Sequence, residues 1–196
     1  MVNDWQKATI WEKNWWGNCA NTYNEETKQY IYASKMGLDE FKINYYGRIG
    51  WDFGEKSILD IGGGAISILL KSKAKRRVVV DPCDYPNWVR ERYKECEIEF
   101  LNIPAEKYLS TKEREFDIAF CYNVLQHTID PGKIISNMKK SAKEIRIFEW
   151  IDTEINEGHI HNLTEEKLNK WLAGEGKVEK LNQHPCIGKT FYGIFI

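Results

Sequence analysis

An acidic residue and a run of glycines stand together near the first clear apolar segment of this sequence. Asp60 lies within that segment, which leads directly into three glycines, Gly62, Gly63 and Gly64. Glycine tolerates positive φ and lets a ligand approach the backbone closely. A strand followed by a glycine turn and a helix is typical of a nucleotide-like ligand site, because the helix start offers free N–H groups.

A second acid follows at the spacing expected for ribose recognition. Asp81 ends the β-branched segment Arg76 to Asp81, and Pro82 comes next. An acid roughly 20 residues after a glycine turn can accept hydrogen bonds from both hydroxyls of a ribose. The alternative is that Asp81 is only a turn residue in front of Pro82.

The glycine turn lacks the features of a phosphate site. It contains neither the GxGxxG spacing nor the lysine of GxxxxGK[ST]. Asp60, just ahead of the turn, would repel a pyrophosphate and would instead accept hydrogen bonds from water or an ammonium group. The sequence therefore argues against NAD or ATP and favours an adenosyl ligand that carries a cation.

Apolar strands alternate with helical segments from Lys56 onward. The predicted strands are 56–61, 76–81, 97–101, 116–121, 144–150, 178–181 and 190–196, and the predicted helices are 25–35, 65–73, 86–95, 131–141 and 164–172. Strands separated by helices indicate βαβ units in a mostly parallel sheet. The last two strands are joined by a short loop, so they should pair antiparallel. The predicted fold class is α/β, a Rossmann-like doubly wound, mostly parallel seven-stranded sheet with an antiparallel C-terminal hairpin and a helical N-terminal segment.

Length and composition fit one domain, residues 1–196, made of an aromatic helical cap (1–50) and a Rossmann-like core (56–196). The chain is 42% hydrophobic with a net charge of −1, so bulk charge does not favour nucleic acid or anionic membrane. Five scattered cysteines without a CxxC pair indicate reduced thiols and a cytoplasmic protein. No signal peptide or membrane segment is expected.

The aromatic N-terminal segment has two interpretations. Its aromatic residues, which include Phe41, Tyr45 and Tyr46, can form a helical layer over one face of the sheet. Alternatively, the segment closes over a ligand, with Trp16, Asn18 and Asn21 facing it, since aromatic walls with a few amides suit a small-molecule pocket.

Residues 57 to 151 resemble class I S-adenosylmethionine-dependent methyltransferases of the small-molecule type. The motifs that carry the resemblance are Ile58 to Gly64, Val80-Asp81, Ala105-Glu106, and a fourth made up of Phe116 to Phe120 with Asn123 to His127 and Asp130-Pro131. Four motifs in the family's order make the resemblance specific. Ile66 departs from the pattern, because it stands where the family usually has a third glycine.

The resemblance implies S-adenosyl-L-methionine as the cofactor and a role for each matching residue. Gly62, Gly63 and Gly64 would pass along the methionine part, and Asp60 would contact its amino group. Asp81, followed by Pro82, would hold the ribose hydroxyls. The cofactor-binding set is completed by Ala105 and Glu106 at adenine, Asn123 at the sulfonium end, and Trp16.

The reaction expected of such a site is in-line transfer of a methyl group, in which alignment supplies much of the rate. A general base is needed only if the acceptor loses a proton. The candidates are His127, His159, His161 and Glu149. His159 and His161 can instead order the loop before the next helix, or form a metal site with Asp152, although no HExxH motif supports a metal.

A small-molecule acceptor is the favoured partner, because no additional substrate domain is visible. The basic cluster Lys71, Lys73, Lys75, Arg76 and Arg77 leaves nucleic-acid contact open, although solvated cations explain it as well. A methyltransferase acting on nucleic acid or protein is one alternative. A protein that binds S-adenosylmethionine without methyl transfer is the other.

Overall fold

The computed structural model describes residues 4–38, 42–43 and 49–196. The aromatic residues Phe41, Tyr45 and Tyr46 of the predicted cap lie outside the described residues. The strands are β1 Lys42–Ile43, β2 Ile49–Asp52, β3 Ser57–Ile61, β4 Ser72–Lys73, β5 Arg76–Val80, β6 Glu99–Leu101, β7 Phe116–Tyr122, β8 Ala142–Trp150, β9 Lys177–Gln183 and β10 Cys186–Phe195. The helices are α1 Asp4–Trp16, α2 Tyr23–Lys35, α3 Asn87–Glu95, α4 Ala105–Leu109, α5 Pro131–Ser141 and α6 Glu165–Leu172.

Seven strands form the main sheet in the order β6-β5-β3-β7-β8-β10-β9. Strands β3, β5, β6, β7 and β8 are parallel, whereas β10 pairs antiparallel with both β8 and β9. The strand order reverses direction between β3 and β7, which in an open α/β sheet marks the crevice where ligands bind. The predicted fold class, including its C-terminal hairpin, is confirmed.

Both faces of the sheet are covered, which explains why its central strands are apolar throughout. Helices α2 and α3 pack on one face through buried residues such as Tyr32 and Tyr93. Helices α5 and α6 pack on the other face through Ile134, Ile135 and Leu168. Each of these two helices has a side-chain N-cap: Asp130 accepts from Lys133 N, and Thr164 accepts from Lys167 N.

The helix predicted at 65–73 is wrong. A four-residue 3₁₀ helix, Ile68–Lys71, stands there, and β4 follows at once and pairs parallel with β2. Two buried tyrosines explain the difference, because the hydroxyl of Tyr93 accepts from Ser67 N (3.0 Å) and that of Tyr122 accepts from Ile68 N (3.1 Å). The N–H groups that a helix start would offer to a ligand are therefore bound to side chains.

Within the described part of the chain, no helix combines the length and the apolar content needed to cross a membrane.

Candidate active site

A cavity lies at the carboxyl ends of the parallel strands, where α1 crosses the crevice. Six of the cofactor-binding residues implied by the resemblance line it: Gly62, Asp81, Pro82, Ala105, Glu106 and Asn123. His127 lines it as well, as do Glu12 and three other residues of α1. The strand-end positions that the sequence indicates thus converge on one space.

The glycine turn takes a conformation that explains its composition. Gly62 has φ +67° and Gly64 has φ +60°, a region that side chains with a Cβ rarely adopt. A Cβ on Gly62 would also lie 2.4 Å from Cγ2 of Val124. Substitution of Gly62 would therefore strain the turn and push into the wall of the cavity. Gly63 and Gly64 are buried in the same turn, although neither lines the cavity itself.

Asp81 is held in place by backbone groups. Its Oδ2 accepts from Gly64 N and its Oδ1 from Cys83 N, each at 2.9 Å. Burial raises the pKa of this carboxyl group to about 6, although the two N–H donors favour the charged form. A carboxylate oxygen offers two acceptor sites, so each oxygen of Asp81 retains capacity for a ligand hydroxyl. Asn102 supports the loop by donating to the carbonyls of Asp81 and Cys83.

Asp60 does not line the cavity. Its carboxyl group is fully buried behind the glycine turn, where Oδ2 accepts from the hydroxyls of Ser67 and Tyr122. The second oxygen, Oδ1, has no hydrogen-bond partner among the described residues. Burial raises the pKa of Asp60 to about 7. The structure therefore places Asp60 as a group that joins the glycine turn to β7.

Glu106 and Ala105 lie at the start of α4, on the wall next to Asp81. Oε1 of Glu106 accepts from the backbone N–H groups of Ile129 and Asp130, at 3.1 and 3.2 Å. That contact ties α4 to the loop that precedes α5. Within the described part of the chain, its second oxygen forms no hydrogen bond and can serve a ligand.

The loop after β7 is shaped by the buried carboxyl group of Glu149. Asn123 has φ +56°, and its side-chain oxygen accepts from Gln126 Nε2 at 2.8 Å. Glu149 is 0% exposed and accepts from the N–H groups of Val124 and Leu125. It is therefore a positioning residue and not the acceptor-side base that the sequence leaves open.

Replacing Glu149 by alanine is expected to lower the free energy of unfolding by about 1–3 kcal/mol, because two buried N–H donors lose their acceptor. Glutamine keeps an oxygen acceptor at the same place and should cost less. Urea denaturation of Glu149→Ala, Glu149→Gln and the wild type measures both effects. Equal stability of the alanine variant and the wild type would contradict this role.

Glu149 also gives stability a pH dependence. Burial raises its pKa to about 8, so the folded state binds a proton that the unfolded state releases at lower pH. The contribution of this proton to stability is full at acidic pH and is lost as pH rises towards 8. We expect the stability difference between the wild type and Glu149→Gln to shrink or reverse between acidic and mildly alkaline pH, measured by the same denaturation series.

Two of the three predicted catalytic histidines, His127 and His159, lie together beside the cavity. Nδ1 of His127 lies 2.8 Å from the carbonyl oxygen of Gly158, which assigns the ring proton to Nδ1 and leaves Nε2 as an acceptor. The rings of His127 and His159 are 4.9 Å apart between centroids. Burial lowers the pKa of each to about 4, so both rings are neutral at physiological pH.

His161 has a different place. Its Nε2 lies 2.8 Å from the carbonyl oxygen of Thr128, and the residue does not line the cavity. It therefore ties its own loop to the one after β7. Asp152, considered as a metal ligand with this pair, instead contacts Lys189 at 2.8 Å. Within the described residues, no three His, Cys, Asp or Glu side chains are grouped as a metal site.

Sequence reasoning missed the contribution of α1. Residues Trp5, Ala8, Thr9 and Glu12 line the cavity. Their spacing of three or four residues is that of one helical face, a signal that was available in the sequence. Trp16 continues this face and lies against the glycine turn, since a Cβ on Gly64 would be 3.5 Å from its Cζ2. Asn18 and Asn21, predicted to face a ligand, are exposed and do not line the cavity.

Comparison with known proteins finds one family match and several solved structures with a similar fold. Residues 59–144 match the family described as "Methyltransferase domain". Among solved structures, the YcgJ protein of Bacillus subtilis has a TM-score of 0.57 at 15% identity, with 79% of this chain and 71% of that chain covered. The magnesium protoporphyrin IX methyltransferase of Synechocystis PCC 6803, solved with S-adenosylmethionine bound, has a TM-score of 0.54 at 12% identity, with 98% and 84% covered.

The family match covers residues 59–144, less than half of the chain, and over these residues it confirms the predicted resemblance to class I S-adenosylmethionine-dependent methyltransferases. The structures named above share the fold of the chain.

The curated relatives that the chain matches carry one name. The ubiquinone biosynthesis O-methyltransferase of Hydrogenovibrio crunogenus is 28% identical over 148 residues, 72% of this chain and 60% of the relative. That of Pseudoalteromonas translucida is 29% identical over 94 residues, 45% of this chain and 40% of the relative. The chain thus spans about half the length of these two relatives.

Proposed function

We propose that this protein transfers the methyl group of S-adenosylmethionine to a small-molecule acceptor. The observation that carries the proposal is the convergence of Asp81, Glu106 and Asn123 on one cavity beside Gly62. These groups come from the ends of successive strands, and their order along the crevice matches the parts of an adenosyl amino acid. The cofactor supplies an activated methyl group on a sulfonium.

The chemistry of the site suits this cofactor. Asp81 would accept from the ribose hydroxyls, while Ala105 and Glu106 would border the adenine. The carboxyl groups of Glu12 and Asp81 line the same cavity, and burial raises the pKa of both, to about 7 and about 6. Within the described residues, neither forms an ion pair with a lysine or arginine. Such unpaired, buried carboxyl groups favour a cationic ligand.

Helix α1 covers a cavity that is small for the cofactor. The space beneath it is about 70 Å³ in this structure, whereas pockets for ligands of this size measure roughly 300–1,000 Å³. The walls formed by the strand ends belong to the sheet, but the wall formed by α1 belongs to a separate N-terminal segment. We infer that α1 shifts outward to admit the cofactor and then covers it.

The acceptor is proposed to be a small hydroxyl compound. The curated relatives are O-methyltransferases by name, and a hydroxyl acceptor has to lose its proton. His127 is the base proposed for that proton: its Nδ1 is directed at the Gly158 carbonyl, and its Nε2, which lies 3.3 Å from the Gln126 amide nitrogen, would exchange that contact for the acceptor hydroxyl. His159 would hold the His127 ring in place through their contact.

The basic cluster offers little support for a nucleic-acid substrate. Arg77 donates to the backbone carbonyls of Leu69, Ser72 and Cys96. Arg76 is paired with Glu99 and Glu115. These cations therefore hold the structure together at the far end of the sheet. We also place the protein in the cytoplasm, in keeping with its five free cysteines.

The proposal is tested by turnover with methyl-labelled S-adenosylmethionine and a panel of catechols, phenols and aliphatic hydroxyl compounds. Formation of S-adenosylhomocysteine together with a labelled O-methyl product is the expected result. A labelled product only with RNA or protein would overturn the acceptor class. Cofactor binding without any methyl transfer across acceptors of all classes would favour a binding protein.

A further inference from the structure

The methyltransferase resemblance gives Asp60 the amino group of the cofactor, yet this residue is in the wrong place to bind it. Its exposure is 0%, and it lies behind the glycine turn and outside the cavity wall. Oδ2 already accepts from two hydroxyl groups, those of Ser67 and Tyr122. Releasing Asp60 would require breaking contacts that also fix β7 and the 3₁₀ helix. Another acceptor has to serve the amino group.

Glu12 presents a carboxyl group to the cavity from the opposite wall. Oε1 accepts from the indole N–H of Trp16 at 2.7 Å, which fixes the side chain along α1. Oε2 lies 3.9 Å from Nδ1 of His127, which is beyond hydrogen-bond distance. That histidine nitrogen is directed at the Gly158 carbonyl instead. Oε2 is thus free of hydrogen-bond partners among the described residues.

The position of Glu12 matches the amino acid end of the cofactor. Its partner Trp16 lies against Gly64, in the turn that would border the methionine part. Its other neighbour, His127, follows the strand end that would border the sulfonium. Glu12 therefore lies between the two parts of the site that would flank the amino acid.

Among the described residues, no lysine or arginine forms an ion pair with Glu12. Its side chain is 23% exposed, and its pKa is raised to about 7, first by burial and also by the charge of Glu25. The neighbouring Asp81 carries a further carboxyl group, and His127 is neutral. Lys13, the next residue of α1, is directed at Asp84 at 4.0 Å. A ligand ammonium group would supply the missing charge and three hydrogen-bond donors.

We propose that Glu12 binds the α-ammonium group of the cofactor, in the role that the family pattern would give to Asp60. The inference rests on the proposed function, because it requires that the cavity hold S-adenosylmethionine. It also explains why α1 closes over the site: the helix carries a residue that contacts the cofactor directly. Binding of the cofactor and closure of α1 are then one event.

The test is calorimetric titration of two ligands that differ in the amino acid part. S-adenosylhomocysteine has the ammonium group but no sulfonium, and 5′-methylthioadenosine has neither. In Glu12→Gln, S-adenosylhomocysteine is expected to bind about 10–100-fold more weakly, the effect of losing a hydrogen bond between charged groups. The affinity for 5′-methylthioadenosine should stay within about twofold of the wild type, since the ligand lacks the group that Glu12 binds.

Glutamine is the informative substitution, because its amide oxygen can still accept from the Trp16 indole. Glu12→Asp keeps the charge on a shorter side chain and should lose less affinity for S-adenosylhomocysteine than Glu12→Gln. Lys13→Gln is the matched control on the exposed side of α1, and it should bind both ligands as the wild type does. Thermal melts of all variants verify that the fold is unchanged.

Three outcomes would overturn the assignment. Unchanged affinity of Glu12→Gln for S-adenosylhomocysteine would show that Glu12 does not bind the ammonium group. An equal loss for both ligands would show that Glu12 acts only by holding α1 in place. Failure of the wild type to bind either ligand would reject the proposed function itself, and this result is distinct from the other two.

Discussion

Replacing His127 by alanine is expected to lower kcat by about 10²–10⁴-fold for a hydroxyl acceptor, the usual contribution of a general base. The imidazole lines the cavity with Nδ1 facing the Gly158 carbonyl, so Nε2 is the acceptor nitrogen, and in this structure it lies 3.3 Å from the Gln126 amide nitrogen. Affinity for S-adenosylhomocysteine should change by no more than about threefold, since His127 contacts the acceptor side of the site. Initial-rate kinetics and calorimetry on the same preparation separate the two effects.

The pH profile gives a second readout of the same role. Burial lowers the pKa of His127 to about 4, so the ring is already neutral well below physiological pH. We expect the rate to show no loss from imidazole protonation near pH 6.5, where an ordinary histidine would titrate.

His161→Ala is the matched control for His127→Ala. His161 belongs to the same histidine cluster but is tied to the Thr128 carbonyl and does not line the cavity. The His161→Ala variant should therefore retain most of the wild-type rate. If His127→Ala and His161→Ala lost the same amount of activity, or if neither lost any, His127 would not be the base.

Replacing Asp81 by alanine is expected to weaken cofactor binding by about 1.5–3 kcal/mol, which corresponds to roughly 10–150-fold in Kd. The carboxylate would bind the ribose hydroxyls, and it also fixes the glycine turn through Gly64 N and the following loop through Cys83 N. Both contributions are lost in alanine. Titration with S-adenosylhomocysteine measures the change.

Asp81→Asn separates the two contributions. The amide keeps one oxygen acceptor for the backbone but loses the charge and one acceptor site. It should fold more stably than Asp81→Ala and still bind the cofactor more weakly than the wild type. Wild-type affinity in both variants would remove Asp81 from the ribose site.

The sheet and the strand-end positions of the site could be predicted from sequence because each depends on local pattern. The apolar segments that become β3, β5 and β7 are short and bounded by glycine or polar residues, so they indicate buried parallel strands. Asp81 and Asn123 follow such segments directly, and Glu106 lies at the start of α4, just after β6. Their convergence then needs only the rule that parallel strands end at a common edge.

The parts that could not be predicted depend on contacts between distant residues. The helix expected at 65–73 is replaced because the hydroxyls of Tyr93 and Tyr122 bind the N–H groups of Ser67 and Ile68. Nothing in the local sequence reveals these partners, which lie 26 and 54 residues further along the chain.

The orientation of Asp60 likewise depends on contacts with residues that the local sequence does not reveal. Its position ahead of the glycine turn indicates a ligand contact, but the hydroxyls of Ser67 and Tyr122 turn it inward. The sequence did contain a signal for Glu12, the residue proposed to bind the ammonium group in place of Asp60, since Trp5, Ala8 and Glu12 share one helical face. What it could not show is that this face lies across the crevice.

A crystal structure of the protein with S-adenosylhomocysteine tests the central claim most directly. We expect the adenosyl group in the crevice beside Gly62, with both ribose hydroxyls within hydrogen-bond distance of the Asp81 carboxylate and the amino acid end under α1. Density for the ligand at any other place, or an Asp81 that makes no contact with the ribose, would contradict the account.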